Sequence, residues 1–372
     1  MEAVSRDDGI EMLWFCQLAP DGEFLGIEGG RRPTLEYLSG LVETAAEMGF
    51  ESLLTATNYH AVHDAWTVSV ATLARTRGAG LLIAVRPGMF HPTVFAKMAA
   101  TAANLFPGRV RVNIVTGSNP AENAMYGDFE GHAARYERTR EFAGLLRRLW
   151  SEPEVSYQSD RYRFEGAPVE PKPASPIPIY LGGHSEEAQR IAAEFADVYL
   201  LWGDTLPMLE TRLADMRGQL RRTGREVRFG LRCHVIVRES EAEAWEAAER
   251  MISRIDPEVR RRFAEATAKV DSEGQRRQAA LAASGSLVIE PNLWAGVGLA
   301  RSGVGVAIVG GPEQVEAKLR AYEALGITTF ILSGYPHWEE CRRFGELVMP
   351  RLRGGRARPG RGASSPGVAP VI

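Results

Sequence analysis

Phe229-Gly-Leu-Arg-Cys-His-Val-Ile-Val-Arg238 carries the two-residue period of a β-strand. Leu231, Cys233, Val235 and Val237 alternate with Arg232, His234 and Ile236. If the first set packs on covering helices, Arg232 and His234 point together at the opposite face. A guanidinium and an imidazole on an apolar strand are costly to bury without an anionic or hydrogen-bonding partner. They are therefore either a solvated or carboxylate-paired strand end or part of a ligand site, and the stretch alone leaves both open.

On either side of this stretch the chain repeats strand and helix. Apolar strands are expected at 12–17, 52–55, 81–85, 110–115, 179–181, 198–201 and 329–332. Helices are expected between them, with Thr34 and Asp64 as caps and Pro92 opening the helix 92–105. A short hairpin is expected at 157–164. With the quoted stretch this makes eight strands, each followed by a helix. That predicts an α/β fold, a single (β/α)8 TIM barrel, with residues 1–353 as one domain. The first strand is not followed by GxGxxG, which argues against a doubly wound sheet. Residues 256–305 exceed what the seventh strand's connection needs and read as a lid-like insertion, and 354–372, rich in Gly, Pro, Arg and Ser, as a disordered tail.

The 372 residues carry a net charge of −3 with interspersed signs, which gives no electrostatic case for nucleic acid. No apolar run reaches the roughly 18 residues of a membrane span, and the polar start is unlike a signal peptide. Three scattered cysteines, Cys16, Cys233 and Cys341, suit a reducing compartment, so the expected location is cytoplasmic. The histidines show no metal-ligand spacing, and no metal is expected.

A barrel of this kind binds ligands at the carboxyl ends of its strands. Those ends offer Asn58, Tyr59 and His60, then Asn113, Thr116 and Ser118, then His184 and Ser185, and finally Arg232, His234, Arg301 and Tyr335. Two arginines among hydroxyls, with few carboxylates, suit a tetrahedral oxyanion. Gly182-Gly-His-Ser185 entering a helix has the make-up of a phosphate cradle, although such turns also serve plain loop geometry.

Six segments together carry a resemblance: Asn113-Ile-Val-Thr-Gly-Ser118, Arg135-Tyr-Glu137, Tyr199-Leu-Leu-Trp-Gly203, Arg232-Cys-His-Val-Ile-Val-Arg-Glu239, Pro291-Asn-Leu-Trp-Ala-Gly-Val-Gly-Leu299 with Arg301, and Ser333-Gly-Tyr-Pro-His337. The chain resembles the bacterial-luciferase-like flavin monooxygenases, and among them the two-component alkanesulfonate monooxygenases. The resemblance implies reduced FMN (FMNH2) received from a separate NAD(P)H-dependent FMN reductase. It further implies O2 as co-substrate, a small anionic organosulfur substrate cleaved at its C–S bond to aldehyde and sulfite, and a homodimer or homotetramer. It assigns Arg232, His234, Arg301 and Tyr335 to catalysis, and Asn113, Thr116, Tyr136, Gly182, Gly183, His184 and Ser185 to the flavin. His60, Val62 and Trp202 fall to the substrate pocket. Two departures alter that pocket. Gln17-Leu-Ala19 stands where the sulfonate branch has Pro-Thr-His, and Val62 stands where it has a cysteine. Oxygenation of a sulfone, an aldehyde or a specialised metabolite, flavin binding without turnover, and deazaflavin-dependent hydride transfer are the alternative readings.

Overall fold

The structure is a computed structural model and describes residues 9–27 and 29–354. The tail expected beyond Gly354 lies outside the described residues. In chain order the strands are β1 (Glu11–Cys16), β2 (Ser52–Thr55), β3 (Gly80–Val85), β4 (Val110–Ile114), the hairpin β5 (Val155–Gln158) and β6 (Arg163–Ala167), then β7 (Ile179–Gly182), β8 (Val198–Trp202) and β9 (Arg228–Val237). They continue with β10 (Val288–Glu290), β11 (Leu293–Trp294), β12 (Ala307–Gly310) and β13 (Ile327–Ser333).

Parallel pairing runs β1–β2–β3–β4–β7–β8–β9–β13 and back to β1, closing an eight-stranded barrel. The closure follows from the strands' two-residue period. Leu13, Phe15, Leu54, Leu82, Tyr180, Val198, Leu200 and Ile331 fill the interior, while alternate residues such as Trp14, Leu53, Ile83, Leu201 and Leu231 meet the helices outside. All eight expected barrel strands are present, within two residues at each end.

The amino end of the barrel is plugged by charge. Glu11 accepts hydrogen bonds from Tyr180 (2.9 Å), Arg228 (2.8 Å) and Thr329 (3.0 Å), with Arg111 at 3.5 Å. Burial opposes its ionisation, but Arg228 and Arg111 outweigh that and hold the carboxyl below its ordinary value.

At the other end β9 outlasts its neighbour. β8 pairs with its first half, and beyond Trp202 the apolar stretch after the insertion, β12, takes over the same edge. β11 and β10 extend from β12 in antiparallel order. The insertion is fuller than turns and one helix. It holds helices Pro257–Ala268 and Glu273–Ala282, and the second lies against the strand ends. A short helix, Pro120–Met125, also precedes His132–Ser151. Among the described residues no helix is long and apolar enough to cross a membrane, and no group of three His, Cys, Asp or Glu could hold a metal.

Candidate active site

Two contiguous cavities open at the carboxyl ends of the strands. The larger, about 540 Å³, is walled by the β1 loop with Leu18, Ala19 and Phe24, and by His60, Arg301 and Tyr335. The smaller, about 240 Å³, holds Thr116, Tyr136, Gly182, Gly183 and His184. Leu54, Asn113, Val115, Trp202 and Arg232 line both and form the passage between them.

Arg232 is buried, as the strand period dictates, and lies inside the barrel. Its guanidinium donates to the carbonyls of Cys233 (2.7 Å) and Ile331 (3.4 Å) and to Ser333 Oγ (2.8 Å). It stacks 4.7 Å from the centre of the Phe15 ring, and Arg301 approaches the same ring at 5.4 Å. Arg301 bonds only the Ser302 carbonyl, and among the described residues no carboxylate pairs with either arginine. Burial, then the charge of Arg301, pushes Arg232 down to about 9. Two cations face one cavity without an acid between them.

His234 lies behind this pair. Its Nδ1 is 2.7 Å from Ser333 Oγ, and its ring stacks on Tyr335 at 5.6 Å. Ser333 Oγ accepts from Arg232 and contacts Nδ1 at the same time, so one hydroxyl joins the guanidinium to the imidazole. Burial first, then Arg232 and Arg301, hold its pKa well below the ordinary value, so the ring is neutral. His234 is 1% exposed and is absent from the cavity wall, so it supports Arg232 and Tyr335 rather than facing a ligand.

The smaller cavity is a loop-and-helix cradle. Ser185 caps the helix Glu186–Phe195 by accepting from the Ala188 N–H, and the remaining first-turn N–H groups have no partner within the helix. A Cβ on Gly183 would lie 2.5 Å from Ala188 Cβ and 3.6 Å from the Tyr136 hydroxyl, so only glycine lets the loop sit this close. Tyr199 pins the loop through its hydroxyl to the Gly183 carbonyl (2.6 Å). His184 leans on Trp202, and burial followed by the charge of Arg212 lowers it to about 4. From the insertion, Asp271 and Ser272 close the far wall. Asp271 is itself held by His132 (2.8 Å) and Arg135 (3.1 Å).

The structure thus gathers Asn113, Thr116, Tyr136, Gly182, Gly183 and His184 in one cavity, and His60, Arg301 and Tyr335 in the other, with Arg232 and Trp202 between. Ser185 acts as the helix cap beside them. Val62 does not join. Its side chain is 51% exposed, and only its backbone N–H holds the β1 loop, through the Leu18 carbonyl. Val62 is not among the residues that wall either cavity. Two buried carboxylates lie near the strand ends without lining either cavity. Asp21 accepts from Tyr37, from the His337 N–H and from His337 Nδ1. Despite its burial, these bonds and the His337 charge hold Asp21 down to about 2. Asp204 receives both arms of Arg277 at 2.7 and 2.8 Å. Phe15, Ser333 and this Asp21–His337 pair escaped the sequence reading, although Ser333 and His337 lie within a quoted segment.

The family model described as luciferase-like monooxygenase matches residues 10–329. Among solved structures, the EDTA monooxygenase EmoA from Chelativorans sp. BNC1 superposes with a TM-score of 0.76 at 18% identity, over 94% of each chain. Riboflavin lyase RcaE, solved with modified FMN and its substrate riboflavin, gives 0.79 at 18% over 95% of this chain and 94% of its own. DmoA from Hyphomicrobium sulfonivorans gives 0.73 at 17% over 96% of this chain and 91% of its own. At these identities the likeness is one of fold. The family match runs from β1 to the start of β13 and takes in most of the residues that line both cavities, and the chain belongs to the luciferase-like monooxygenase family.

Proposed function

We propose that the chain is a two-component monooxygenase that takes reduced FMN from a separate NAD(P)H-dependent reductase and cleaves the C–S bond of an organosulfonate. The observation that carries the anionic substrate is the pair Arg232 and Arg301, both on the Phe15 ring and, among the described residues, both without a carboxylate partner. A buried cation without an acid is stable only with an anion or a dense hydrogen-bond shell, and a sulfonate supplies the anion.

The smaller cavity fits the cofactor's phosphate end. Its glycine loop would be filled by a single Cβ, and it offers helix N–H groups, the Tyr136 hydroxyl and Ser185. The passage at Asn113 and Trp202 is where the ring system would lie. Bound reduced FMN would supply the two electrons and the site of O2 activation.

The chain's own residues do the rest. Arg232 and Arg301 orient the sulfonate and stabilise negative charge that grows on oxygen. Tyr335 Oη gives a proton to the departing oxygen, and the neutral His234 keeps Tyr335 and Ser333 in place. The insertion excludes water from above. The balance is RCH2SO3−, O2 and the reduced cofactor to RCHO, HSO3−, water and the oxidised cofactor. One oxygen atom goes to carbon and the other leaves in water, and of the four electrons that O2 takes up two come from the cofactor and two from the substrate.

The same two guanidiniums would accept a carboxylate, so the assay must separate the two. With a generic FMN reductase in air, sulfite is measured across alkanesulfonates beside chain-matched carboxylates and sulfones. Sulfite above the reductase-only control, cut about a hundredfold but still measurable in Arg301→Ala, supports the reading. Product from the carboxylates or sulfones with no sulfite from any sulfonate overturns it.

A further inference from the structure

Arg301 stands on a loop, and two buried glutamines of one helix hold that loop. In the helix Glu273–Ala282, Gln275 is 6% and Gln278 2% exposed. Gln275 Oε1 accepts from the Gly303 N–H at 2.7 Å, and Gln278 Oε1 accepts from the Gly305 N–H at 2.8 Å. The two glutamines are three residues apart, so they share one helix face, and their acceptors meet alternate residues of the Arg301 loop. Gln278 also donates from Nε2 to the Gly203 carbonyl at 3.0 Å. The Gly203 N–H in turn donates to the Arg232 carbonyl at 2.8 Å. One side chain therefore ties the Arg301 loop to the strand edge that carries Arg232.

We propose that Gln275 and Gln278 are positioning residues that set Arg301 against Arg232 for an anionic substrate. This rests on the reading of those arginines as the anion's ligands. Packing alone does not call for glutamine here. A buried amide must satisfy its donors and acceptors, and an apolar side chain of similar size would fill the space without that demand. Both amide oxygens are spent on the backbone of one short segment, and the Gln278 NH2 on the Gly203 carbonyl. The backbone itself is fitted closely: the Gly298 N–H donates to the Gly305 carbonyl at 2.9 Å, and a Cβ on Gly305 would lie 2.8 Å from Gly298 Cα. Arg301, whose own bond reaches only Ser302, takes its place from this frame.

The test uses the full chain with Gln275→Leu, Gln278→Leu and Gln275→Glu, the last of which keeps an acceptor oxygen. Amide hydrogen exchange across residues 300–306 is read first, without substrate. The leucine variants are expected to speed exchange at Gly303 and Gly305 respectively by about tenfold, the effect of losing one buried hydrogen bond, and Gln275→Glu to restore slow exchange at Gly303. Turnover is then measured at saturating reduced flavin on the best substrate of the panel. KM is expected to rise about tenfold with kcat within twofold, and Gln275→Leu is expected to add nothing in an Arg301→Ala background.

Unchanged exchange at both amides, or an effect of Gln275→Leu that adds fully to Arg301→Ala, overturns the proposal. If no sulfonate is turned over by the unaltered protein, the reading of the arginines fails, while the exchange data still decide whether the glutamines hold the loop. Should a leucine variant not fold, Gln278→Glu keeps the acceptor for Gly305 but loses the donor to Gly203. It must then raise KM alone, and an unchanged KM counts against the proposal.

Discussion

Arg228 and Arg232 sit four residues apart on one strand and one face, and they are treated in opposite ways. At the amino end of the barrel, Arg228 meets Glu11 at 2.8 Å, within a set that includes Arg111, Tyr180 and Thr329. At the carboxyl end, Arg232 meets only carbonyls, a hydroxyl and an aromatic ring, with a second cation nearby. Burial opposes charge at both positions. At Arg228, Glu11 together with Tyr180 outweighs burial and holds the group above its ordinary value, while Arg232 is pushed below. The lower charges are paired within the fold, whereas among the described residues the upper ones have no acid partner, the place the proposed anionic substrate would take. One barrel thus separates stability from function along a single strand.

Replacing each set should break this comparison in different currencies. Arg232→Met removes an unpaired buried cation, so thermal stability should hold or rise, while kcat/KM for the anionic substrate should fall about a thousandfold, or about 4 kcal/mol. Calorimetry and sulfite kinetics on one preparation read both. A drop in stability matching the loss of activity would show that Arg232 belongs with the structural charges after all.

The reverse holds for Glu11→Gln, the next largest effect. It leaves Arg111 and the buried end of the plug without their acid and should cost about 3 kcal/mol in denaturant unfolding. Activity per folded molecule should stay unchanged, since the substitution lies a barrel's length from the cavities. A change in KM at constant fold would mean that the two ends are coupled.

Local pattern explains why the barrel was legible in the sequence and the partners were not. The two-residue period put Arg232 and His234 on one face, and apolar runs placed all eight barrel strands. Periodicity says nothing about what a buried group meets across the chain. The bonds of His337 to Asp21 span 316 residues, and Phe15 receives two guanidiniums from strands and loops far along the sequence. β12 read only as apolar, because its role depends on β9 outlasting β8. Val62 lies in a loop, which has no period from which to read direction. Gln275 and Gln278 work through backbone partners that no side-chain pattern announces.

Within the upper end, the cradle can be separated from the arginines. Gly183→Ala would set a Cβ 2.5 Å from Ala188 and force the loop away from its helix. Overpacking of this kind costs about 1–3 kcal/mol, so reduced-FMN affinity should weaken about tenfold or more. Equilibrium titration under anaerobic conditions measures it. Substrate KM at saturating flavin should be unaffected, and a rise there instead would assign the loop to the substrate.

The smallest effect concerns acid. Burial is the first cause that lowers all three histidines at the upper end: His184 to about 4, His234 well down and His337 below its ordinary value. Their unfolded value is about 6.5, so below it the unfolded chain binds protons that the folded chain refuses. The stability they contribute is therefore full above about pH 6.5 and drains as pH falls, through about 4 for His184. Glu11 is also lowered, but from 4.5, so the lower plug loses its contribution only beneath that value. Between pH 6 and 5, then, amide exchange should quicken around β9, β13 and the Arg301 loop while the Glu11 end stays protected. His184→Gln should flatten part of the slope of melting temperature against pH in this window, and Glu11→Gln should leave that slope as it is. Equal loss of protection at both ends would mean that the barrel opens as one unit in acid, and the division drawn along β9 would not extend to its unfolding.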